Sequence, residues 1–574
     1  MKSRCLLYLF VLSAPVLAFS LDREAFTFSN YKLDVRVEPD QQRLGVRGRI
    51  TLRNDSQTAQ KIAVLQISSS LHWSLIRAGG QPLQFVLQPF TSDIDHTGEL
   101  SEAIVTLPKL VPPKATMDLD IGYEGVIVLD ATRLSRLGAP DSTARATDWD
   151  QISANFTAVR GVGYVAWYPV ATEAADLSEG GAFFDTVGRW KRRESGSAMQ
   201  LKVSITMHAF EVPQIMFNDL LCSIGNYEQM GANLHAEAEC LSQPARLNTP
   251  TIVIANYKGL DHTAIEVRYL PGHDEAAANF AEQAEKVAPF IVDWFGPRLE
   301  RAKAADLPDA NSSAFEDGGL LLMPLVGSDS TQHALAAIHQ LTHVTIWSYR
   351  PWISEGLAHF SQALYLEREK GRPTALEYMR LHSSAFATID KQIAPGTDDE
   401  TARSLVNTLD EETYRSKAMR VWWMLRDMLG DQALKKAIAS YHPEQDKEPS
   451  CMPRLIQAQT QKELEWFFDD WIYRDRGLPD FKIDSVFPRK TLPDGYMVTV
   501  TVSNQGLAGA EVPVTIKFEG GEITQRLVVR GKSSSVTRFA VPKAPEEVVV
   551  NDGSVPESDT TNNTFRVVLD DSPK

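Results

Sequence analysis

The sequence predicts a multidomain α+β protein, and three observations support this prediction. The chain has 574 residues, which is too long for a single hydrophobic core, because domains usually contain about 100–150 residues. Its composition, 43% hydrophobic and 23% charged, is typical of a globular protein. Strand-like alternation dominates before about residue 250 and after residue 480, and helical periodicity is common between them. We therefore expect a β-rich N-terminal domain, an α+β domain with a helical lobe, and a C-terminal β-sandwich.

The N-terminus has the features of a secretory signal peptide. Lys2 and Arg4 precede an apolar run, and Val16-Leu17-Ala18 supplies the small residues that a signal peptidase requires. A retained signal anchor is the alternative, but the apolar run is short for a membrane span. We predict that residues 1–18 are removed, that no transmembrane segment remains, and that the protein is exported to the periplasm or secreted.

The predicted N-terminal domain, residues 19–250, contains short alternating segments such as 32–37 and 47–52, which turn residues interrupt. Cys222 and Cys240 flank what resembles a pair of strands, so a disulfide between them is plausible in an oxidising compartment. Cys451 would remain unpaired. Because these three cysteines are far apart in sequence, a thiolate zinc site is excluded.

The predicted central domain, residues 251–480, is marked by helical periodicity. The first helical segment, 274–301, places apolar residues every three or four positions and stops near Gly296-Pro297. Helical spacing then recurs in a series of further segments, namely 331–345, 352–370, 374–387, 411–429, 431–441 and 461–475.

Strand-like alternation returns in the predicted C-terminal domain, residues 481–574. The segments 497–502 and 512–518 both alternate apolar and polar residues, which favours a small β-sandwich. The whole chain carries a formal net charge of −16. A nucleic-acid partner is therefore not expected, since binding to a phosphate backbone requires a basic surface.

A candidate metal site lies in the segment His339-Gln340-Leu341-Thr342-His343. Residues four positions apart share one face of a helix, so the two imidazoles could bind one metal ion, although an ordinary histidine pair has the same spacing. Glu355 follows near the start of the next predicted helix and could return to the two histidines. Two histidines and one glutamate leave a fourth position for water, which is the arrangement of catalytic zinc.

These motifs resemble those of the aminopeptidase N family of gluzincin zinc metallopeptidases. The family has HExxH followed by a glutamate inside WxxEGxA, and this chain has His339–His343 followed by Trp352–Ala358. The segment Ala314–Leu320 resembles the family's GAMENxGL strand, and the segment Tyr414–Leu425 resembles its YxKGAxxxxML helix. With Trp167-Tyr168-Pro169 included, the resemblance covers roughly residues 28–480.

The resemblance implies a fold and a set of site residues. It implies a saddle-shaped N-terminal domain and a thermolysin-like catalytic domain. His339, His343 and Glu355 would hold one Zn²⁺ per chain. Glu316 would hold the α-amino group of a peptide with a free N-terminus, and Tyr414 would stabilise the tetrahedral oxyanion.

The chain departs from the family pattern in three respects. Gln340 replaces the glutamate that takes a proton from zinc-bound water, and an amide cannot accept that proton at neutral pH. Eleven residues separate His343 from Glu355, fewer than in the family. Tyr414 precedes Lys417 by three residues instead of two, which changes its register in the helix.

Each of these residues also has an interpretation that involves no catalysis. The three ligands could be the relic of a site that has lost its metal, Glu316 could be a solvated acidic residue, and Tyr414 could be a packing residue. His359, one turn after Glu355, could lie behind the ligands, act as a substitute acid, or face away along the helix flank. Trp422 and Trp423 are interpreted as core residues, as their helical spacing indicates.

Three functions are compatible with these residues. The first is an exported zinc aminopeptidase that removes N-terminal residues from peptides, with Gln340 impairing turnover. The second is a catalytically inactive pseudo-peptidase that retains zinc and binds peptides or a protein. The third, a structural or adhesive exported protein, does not explain why the motifs occur in the family's order.

Overall fold

The structure is a computed structural model of the 574-residue chain. It describes residues 21–209, 211–297, 301–327, 329–383, 386, 404–408, 410–491 and 495–569. The predicted signal peptide lies outside the described residues, as does the end of the helix predicted at 374–387.

The first part of the chain consists mainly of strands. In β1, Tyr31, Leu33 and Val35 are buried and alternate with exposed residues, because successive side chains of a strand point to opposite faces. The strands are β1 (Phe26–Glu38), β2 (Arg43–Asn54), β3 (Gln60–Ser68), β4 (Leu71–Ala78), β5 (Gln81–Pro82), β6 (Gln84–Thr91), β7 (Glu99–Val111), β8 (Thr116–Val126), β9 (Gln151–Ile152), β10 (Phe156–Val159), β11 (Ala198–His208), β12 (Gln214–Phe217), β13 (Leu220–Leu221), β14 (Ser223–Met230), β15 (Asn233–Pro244) and β16 (Ile252–Ala255).

These strands form three sheets. An eight-stranded sheet has the order β14-β15-β11-β1-β2-β8-β4-β5, a five-stranded sheet has the order β13-β12-β16-β10-β9, and a three-stranded sheet has the order β3-β7-β6. β1 runs parallel to β11 and antiparallel to β2. Among the described residues, the α-helices that accompany these sheets are α1 (Thr132–Arg136), α2 (Asp141–Thr147) and α3 (Gly180–Glu194). Trp167 and Trp190 are among the fully buried side chains of the core that results.

The disulfide that the sequence suggests is present. Cys222 and Cys240 are bonded, and they lie beside β14 and within β15, which pair antiparallel. Cys451 forms no disulfide with the other cysteines that the structure describes.

A second five-stranded sheet opens the central part of the chain. Its strands are β17 (Lys258–Asp261), β18 (Ile265–Tyr269), β19 (Ala302–Asp306), β20 (Phe315–Asp317) and β21 (Leu320–Met323), in the order β17-β18-β19-β21-β20. β18, β19 and β21 are parallel, whereas β20 is antiparallel to β21 and forms the edge of the sheet. Gly318 has a φ of 60° in the turn between β20 and β21, a conformation that favours glycine.

Helices cover this sheet and form the lobe beside it. They are α4 (Asp274–Phe295), α5 (Ser330–Thr345), α6 (Pro351–Lys370), α7 (Arg372–Leu381), α8 (Glu411–Thr413, a π-helical turn Tyr414–Ala418, and Met419–Leu429), α9 (Asp431–Ala439), α10 (Cys451–Gln457) and α11 (Glu465–Phe468 with a π-helical turn Asp469–Tyr473). The segment predicted as a helix at 461–475 becomes helical only at Glu465, and α10 was not predicted. Trp422 and Trp423 are fully buried core residues, as expected.

The C-terminal strands form two sheets. They are β22 (Phe481–Thr491), β23 (Gly495–Asn504), β24 (Ala510–Phe518), β25 (Gly521–Val529), β26 (Ser533–Val541), β27 (Pro545–Val550) and β28 (Thr564–Arg566), in the orders β22-β23-β26 and β25-β24-β27-β28. Their buried residues belong to the same continuous cluster as the buried residues of the helical lobe. Trp471 joins the two regions, because its Nε1 donates a hydrogen bond to the carbonyl of Gly509 at 2.7 Å.

The expectation of a multidomain α+β architecture is therefore confirmed. The domain boundaries at 250 and 480 stay predictions, and so do the saddle shape and the thermolysin-like arrangement. β16 extends the pairing of the N-terminal five-stranded sheet to residue 255. Among the described residues, no helix combines the length and apolar character needed to cross a membrane.

Candidate metal centre

Helix α5 carries the two predicted histidine ligands. Asp329 caps its N-terminus by accepting hydrogen bonds from the backbone N–H groups of Thr331 and Gln332 at 2.7 and 3.0 Å. Its apolar face is buried against the core, where Ala334, Ala337, Ile338 and Leu341 lie. This packing fixes the rotation of α5 about its axis, and therefore the orientation of the neighbouring face that carries His339 and His343.

Helix α6 carries Glu355, and its N-terminal end is fixed by a buried ion pair. Arg350, just before the helix, lies 3.0 Å from the carboxylate of Asp446, and both side chains are almost fully buried. Gly356 allows α6 to approach α8 closely, because a Cβ at this position would lie 2.8 Å from Nε1 of Trp422. The loop between α5 and α6, residues 346–350, is short, yet Glu355 still faces the two histidines.

The three predicted ligands converge. Nε2 of His339 lies 3.1 Å from Nε2 of His343. The carboxylate oxygens of Glu355 lie 3.5 Å from Nε2 of His339 and 3.3 Å from Nε2 of His343. The structure therefore brings together side chains from two helices that the sequence had linked only through motif order.

These distances fit a zinc ion. Zinc ligands at about 2.0–2.2 Å in a tetrahedral arrangement are about 3.3–3.6 Å from one another. The separations of 3.1, 3.3 and 3.5 Å among His339, His343 and Glu355 are close to that range. Two imidazoles and one carboxylate are also the donor set of catalytic zinc.

The electrostatics of the centre reflect this proximity in the metal-free protein. Burial opposes protonation of His343, but the carboxylates of Glu355 and Glu316 outweigh it and raise the pKa of His343 to about 9. Burial alone would raise the pKa of Glu355, but the adjacent His343 outweighs that effect and lowers it. Burial and the neighbouring His359 and His343 hold the pKa of His339 well below its ordinary value.

Gln340 lies beside the ligands and is 5% exposed. Its Oε1 is buried and accepts no hydrogen bond from the described residues. A buried polar atom without a partner is costly, so this amide oxygen is a candidate for contact with water or a ligand in the cleft.

Glu316 reaches the same centre from the edge strand β20. Its carboxylate can join His339 and His343 in a group whose potential ligand atoms all lie within 4.8 Å of one another. Glu316, the three predicted ligands and Gln340 all line one cleft of about 720 Å³. The geometry is compatible with recognition of a cationic group beside a metal, and also with direct coordination of the metal by Glu316.

Tyr414 lines the cleft but its hydroxyl is engaged. It donates a hydrogen bond to the carbonyl of Thr408, and burial raises the pKa of Tyr414 well above its ordinary value. Tyr414 begins the π-helical turn of α8. Tyr414 and Lys417 therefore lie in the same π-helical turn, in which i→i+5 hydrogen bonds replace those of an α-helix.

His359 is a component of the centre whose role the sequence left open. Its ring centroid lies 4.7 Å from that of His339, and it can form a group with His339 and Glu355 whose potential ligand atoms lie within 4.8 Å of one another. His359 also lines the cleft. The only sequence signal for this position was its spacing of one helical turn from Glu355.

The fold is similar to that of known zinc metallopeptidases. No protein-family model and no curated protein sequence matches the chain. The M1 zinc metallopeptidase from Deinococcus radiodurans is 17% identical, with 78% of this chain and 94% of that chain covered and a TM-score of 0.52. A point mutant of that enzyme is 18% identical over 80% and 96% of the two chains, with a TM-score of 0.52. That mutant bound to the substrate Tyr-Ser-Ala is 16% identical over 79% and 95%, with a TM-score of 0.51. At these identities the likeness concerns the fold.

Proposed function

We propose that the protein is an exported zinc metallopeptidase of the aminopeptidase type and a divergent relative of the M1 enzymes. The observation that carries the proposal is the convergence of His339, His343 and Glu355 at separations suited to one zinc ion. The similarity in fold to M1 zinc metallopeptidases, one of them in complex with a peptide substrate, supports it. Export rests on the signal-like N-terminus alone.

The residues of the centre divide into metal-binding and substrate-binding groups. His339, His343 and Glu355 would hold the ion, which when bound polarises the scissile carbonyl and lowers the pKa of water. Glu316 would bind the α-amino group of the peptide, because its carboxylate lies beside the two histidines and lines the cleft. An anchored N-terminus would place the first peptide bond next to the metal-binding residues.

Gln340 limits what this centre can do. The amide can donate and accept hydrogen bonds, so it can orient a water molecule or the substrate, but it cannot take up a proton at neutral pH. Loss of a general base typically reduces the rate by about 10²–10⁴-fold. We therefore expect slow hydrolysis of N-terminal peptide bonds.

Gln340 also favours a second candidate function. A protein with the same metal-binding residues and cleft but without a general base could bind peptides with a free N-terminus, or a partner protein, and release them unchanged. This pseudo-peptidase would retain zinc. The two candidates therefore differ in turnover and not in metal content.

Metal content and turnover together test the proposal. Zinc is measured by elemental analysis, and hydrolysis is measured with a panel of aminoacyl fluorogenic substrates, for the wild type and Gln340→Glu. Gln332→Glu, an exposed substitution on the same helix, is the matched control for added negative charge. We expect one zinc per chain, slow hydrolysis by the wild type, and a gain of about 10²–10⁴-fold for Gln340→Glu only.

Other outcomes separate the candidates. Zinc without wild-type turnover, followed by activity in Gln340→Glu, would favour the pseudo-peptidase. Rapid wild-type turnover that Gln340→Glu leaves unchanged would mean that another group accepts the proton. If the wild type bound no zinc, and neither form hydrolysed any substrate, the metallopeptidase proposal would be wrong.

A further inference from the structure

We propose that His359 is a positioning residue that accepts a hydrogen bond from His339 and thereby orients this imidazole toward the metal. The inference rests on the proposed zinc site but not on peptidase activity. His359 contributes no ligand atom to the proposed site, and its effect would be exerted through His339. Its loss should therefore weaken metal binding without changing the number of imidazoles bound to the metal.

The position of His359 supports such a contact. It lies on α6, one turn after Glu355, and is 5% exposed. Its ring centroid is 4.7 Å from that of His339, with an angle of 56° between the ring planes. The centroid of His343, whose Nε2 lies 3.1 Å from Nε2 of His339, is also 4.7 Å from the centroid of His339. His339 is therefore flanked by an imidazole on each of the two helices.

A network of hydrogen bonds behind His359 fixes which of its nitrogens carries hydrogen. The Nε2 of Gln362 donates to the carbonyl of Leu335 at 2.9 Å, so Oε1 of Gln362 faces the other way. This Oε1 accepts a hydrogen bond from the hydroxyl of Tyr378 at 2.8 Å. It also lies 3.0 Å from Nδ1 of His359. Because an amide oxygen is only an acceptor, Nδ1 of His359 must be the donor.

The free lone pair of His359 is therefore on Nε2. In the neutral imidazole one nitrogen is a donor and the other an acceptor, and Nδ1 is already committed to Gln362. His359 is 5% exposed, and burial of an imidazole favours its neutral form. His359 can thus accept a hydrogen bond at Nε2, and its ring centroid lies 4.7 Å from that of His339.

His339 requires such an acceptor if it binds a metal. Its Nε2 faces His343 and Glu355, so Nε2 is the nitrogen that would bind the ion and Nδ1 would carry hydrogen. Histidines that bind metals almost always donate their second N–H to a carboxylate, a carbonyl or water, which fixes the tautomer and the ring orientation. In this chain we infer that the acceptor is the imidazole of His359, whose Nδ1 is held in turn by Gln362, and Gln362 by Tyr378 and the backbone of Leu335.

The experiment measures Zn²⁺ affinity by competition with a chromophoric chelator. His359→Phe keeps a ring but removes the acceptor, whereas His359→Gln keeps an acceptor near the position of Nε2. We expect His359→Phe to weaken Zn²⁺ binding by about 10–100-fold and His359→Gln to stay within a few-fold of the wild type. His333→Phe is the matched control, because His333 is a buried histidine of α5 whose Nε2 lies 3.0 Å from the carbonyl of Val326.

Two further measurements keep the test decisive. Circular dichroism and thermal unfolding in excess EDTA show whether each metal-free variant is folded. If His359→Phe is unfolded, the Zn²⁺ affinities of His359→Gln and Gln362→Leu are compared with that of the wild type instead. Removal of the Gln362 amide frees the tautomer of His359, so Gln362→Leu should weaken binding, but less than His359→Phe. X-ray absorption of the zinc-loaded wild type should show two imidazole ligands.

Several results would overturn the inference. One such result is a folded His359→Phe protein that binds Zn²⁺ as tightly as the wild type. Another is that His359→Phe and His359→Gln weaken Zn²⁺ binding equally while the X-ray absorption spectrum shows three imidazole ligands, because His359 would then be a ligand itself. Absence of zinc from the wild type would overturn both this inference and the proposed function. The expected affinities without any peptide hydrolysis would support the role of His359 and contradict only the peptidase proposal.

Discussion

Nε2 of His343 lies 3.3 Å from Oε1 of Glu355, and this contact joins helices α5 and α6 at the wall of the cleft. Without a metal we expect the two to form an ion pair, because burial lowers the pKa of His343 but Glu355 and Glu316 outweigh it and raise this pKa to about 9. At neutral pH we therefore expect the metal-free centre to hold a proton on His343. A metal ion can bind Nε2 only after that proton has left.

Zinc binding should consequently release a proton and become stronger as the pH rises. Below a pKa of about 9 the proton competes for His343, so the apparent affinity should increase by up to about tenfold per pH unit between pH 7 and 9 and then level off. Isothermal titration calorimetry in buffers with different ionisation enthalpies measures the number of protons released. We expect about one proton per zinc at pH 7.5. A buffer-independent enthalpy and a flat affinity profile would contradict the assignment of the charge to His343.

Glu316 should determine whether a free N-terminus is recognised. In Glu316→Gln the carboxylate that would pair with the α-ammonium group is replaced by a neutral amide acceptor, and hydrogen bonds to charged groups contribute about 1.5–3 kcal/mol. We expect kcat/KM for aminoacyl substrates to fall by about 10–100-fold, measured in the Gln340→Glu background if the wild type is slow. Metal content measured in parallel shows whether Glu316 also binds zinc. Unchanged kcat/KM would mean that Glu316 is only a solvated acidic residue.

The convergence of His339, His343 and Glu355 could be predicted in part, although their role as metal ligands stays a prediction. His339 and His343 share one helical face by spacing alone, and the position of Glu355 followed from the motif around it. The alternation of apolar and polar residues likewise predicted strands in both β-rich regions. These features depend on the periodicity of one segment at a time.

The features that could not be predicted depend on packing between segments. The direction of His359 is set by Gln362 on its own helix and by Tyr378 on α7, and no spacing rule connects these three residues to His339. The π-helical turn at Tyr414 is a local departure from α-helical geometry that helical periodicity does not distinguish. Helix α10 is only seven residues long, too short to show a periodic pattern.

The buried pair Lys417–Asp475 should be important for the stability of the helical lobe. Nζ of Lys417 lies 2.8 Å from Oδ1 of Asp475, and the two side chains are 1% and 2% exposed. Lys417→Met leaves the Asp475 carboxylate buried without its cation, which typically costs about 3–5 kcal/mol. We expect a clear fall in thermal unfolding temperature for Lys417→Met and partial recovery in the double variant with Asp475→Leu. The control is Lys543→Met, whose ion pair with Glu519 is exposed and contributes little. Equal unfolding temperatures for Lys417→Met and this control would contradict the prediction.

Glu194, the last residue of α3, should make the stability of the N-terminal region depend on pH. Its Oε1 accepts a hydrogen bond from the backbone N–H of Phe28 at 3.0 Å, and its Oε2 accepts one from Ser197 at 3.0 Å. Burial outweighs these bonds and raises the pKa of Glu194 from 4.5 to about 7. Between these two values the folded state binds more protons than the unfolded state, so stability falls as the pH rises.

The contribution of Glu194 to the free energy of unfolding is fully present below about pH 4.5 and is lost as the pH rises through about 7. Its size is on the order of 3 kcal/mol, because each tenfold difference in proton affinity between the folded and unfolded states corresponds to about 1.4 kcal/mol. Glu194→Gln keeps a carbonyl acceptor for Phe28 and cannot ionise, so its unfolding temperature should fall less than that of the wild type between pH 5 and pH 8. The unfolding temperature of both proteins is measured at pH 5 and pH 8. The change with pH is then compared between the two proteins, because the titration of all other groups contributes equally to both. Glu239→Gln, an exposed substitution, should follow the wild type. If Glu194→Gln lost as much stability over this range as the wild type, Glu194 would titrate as an ordinary carboxyl group.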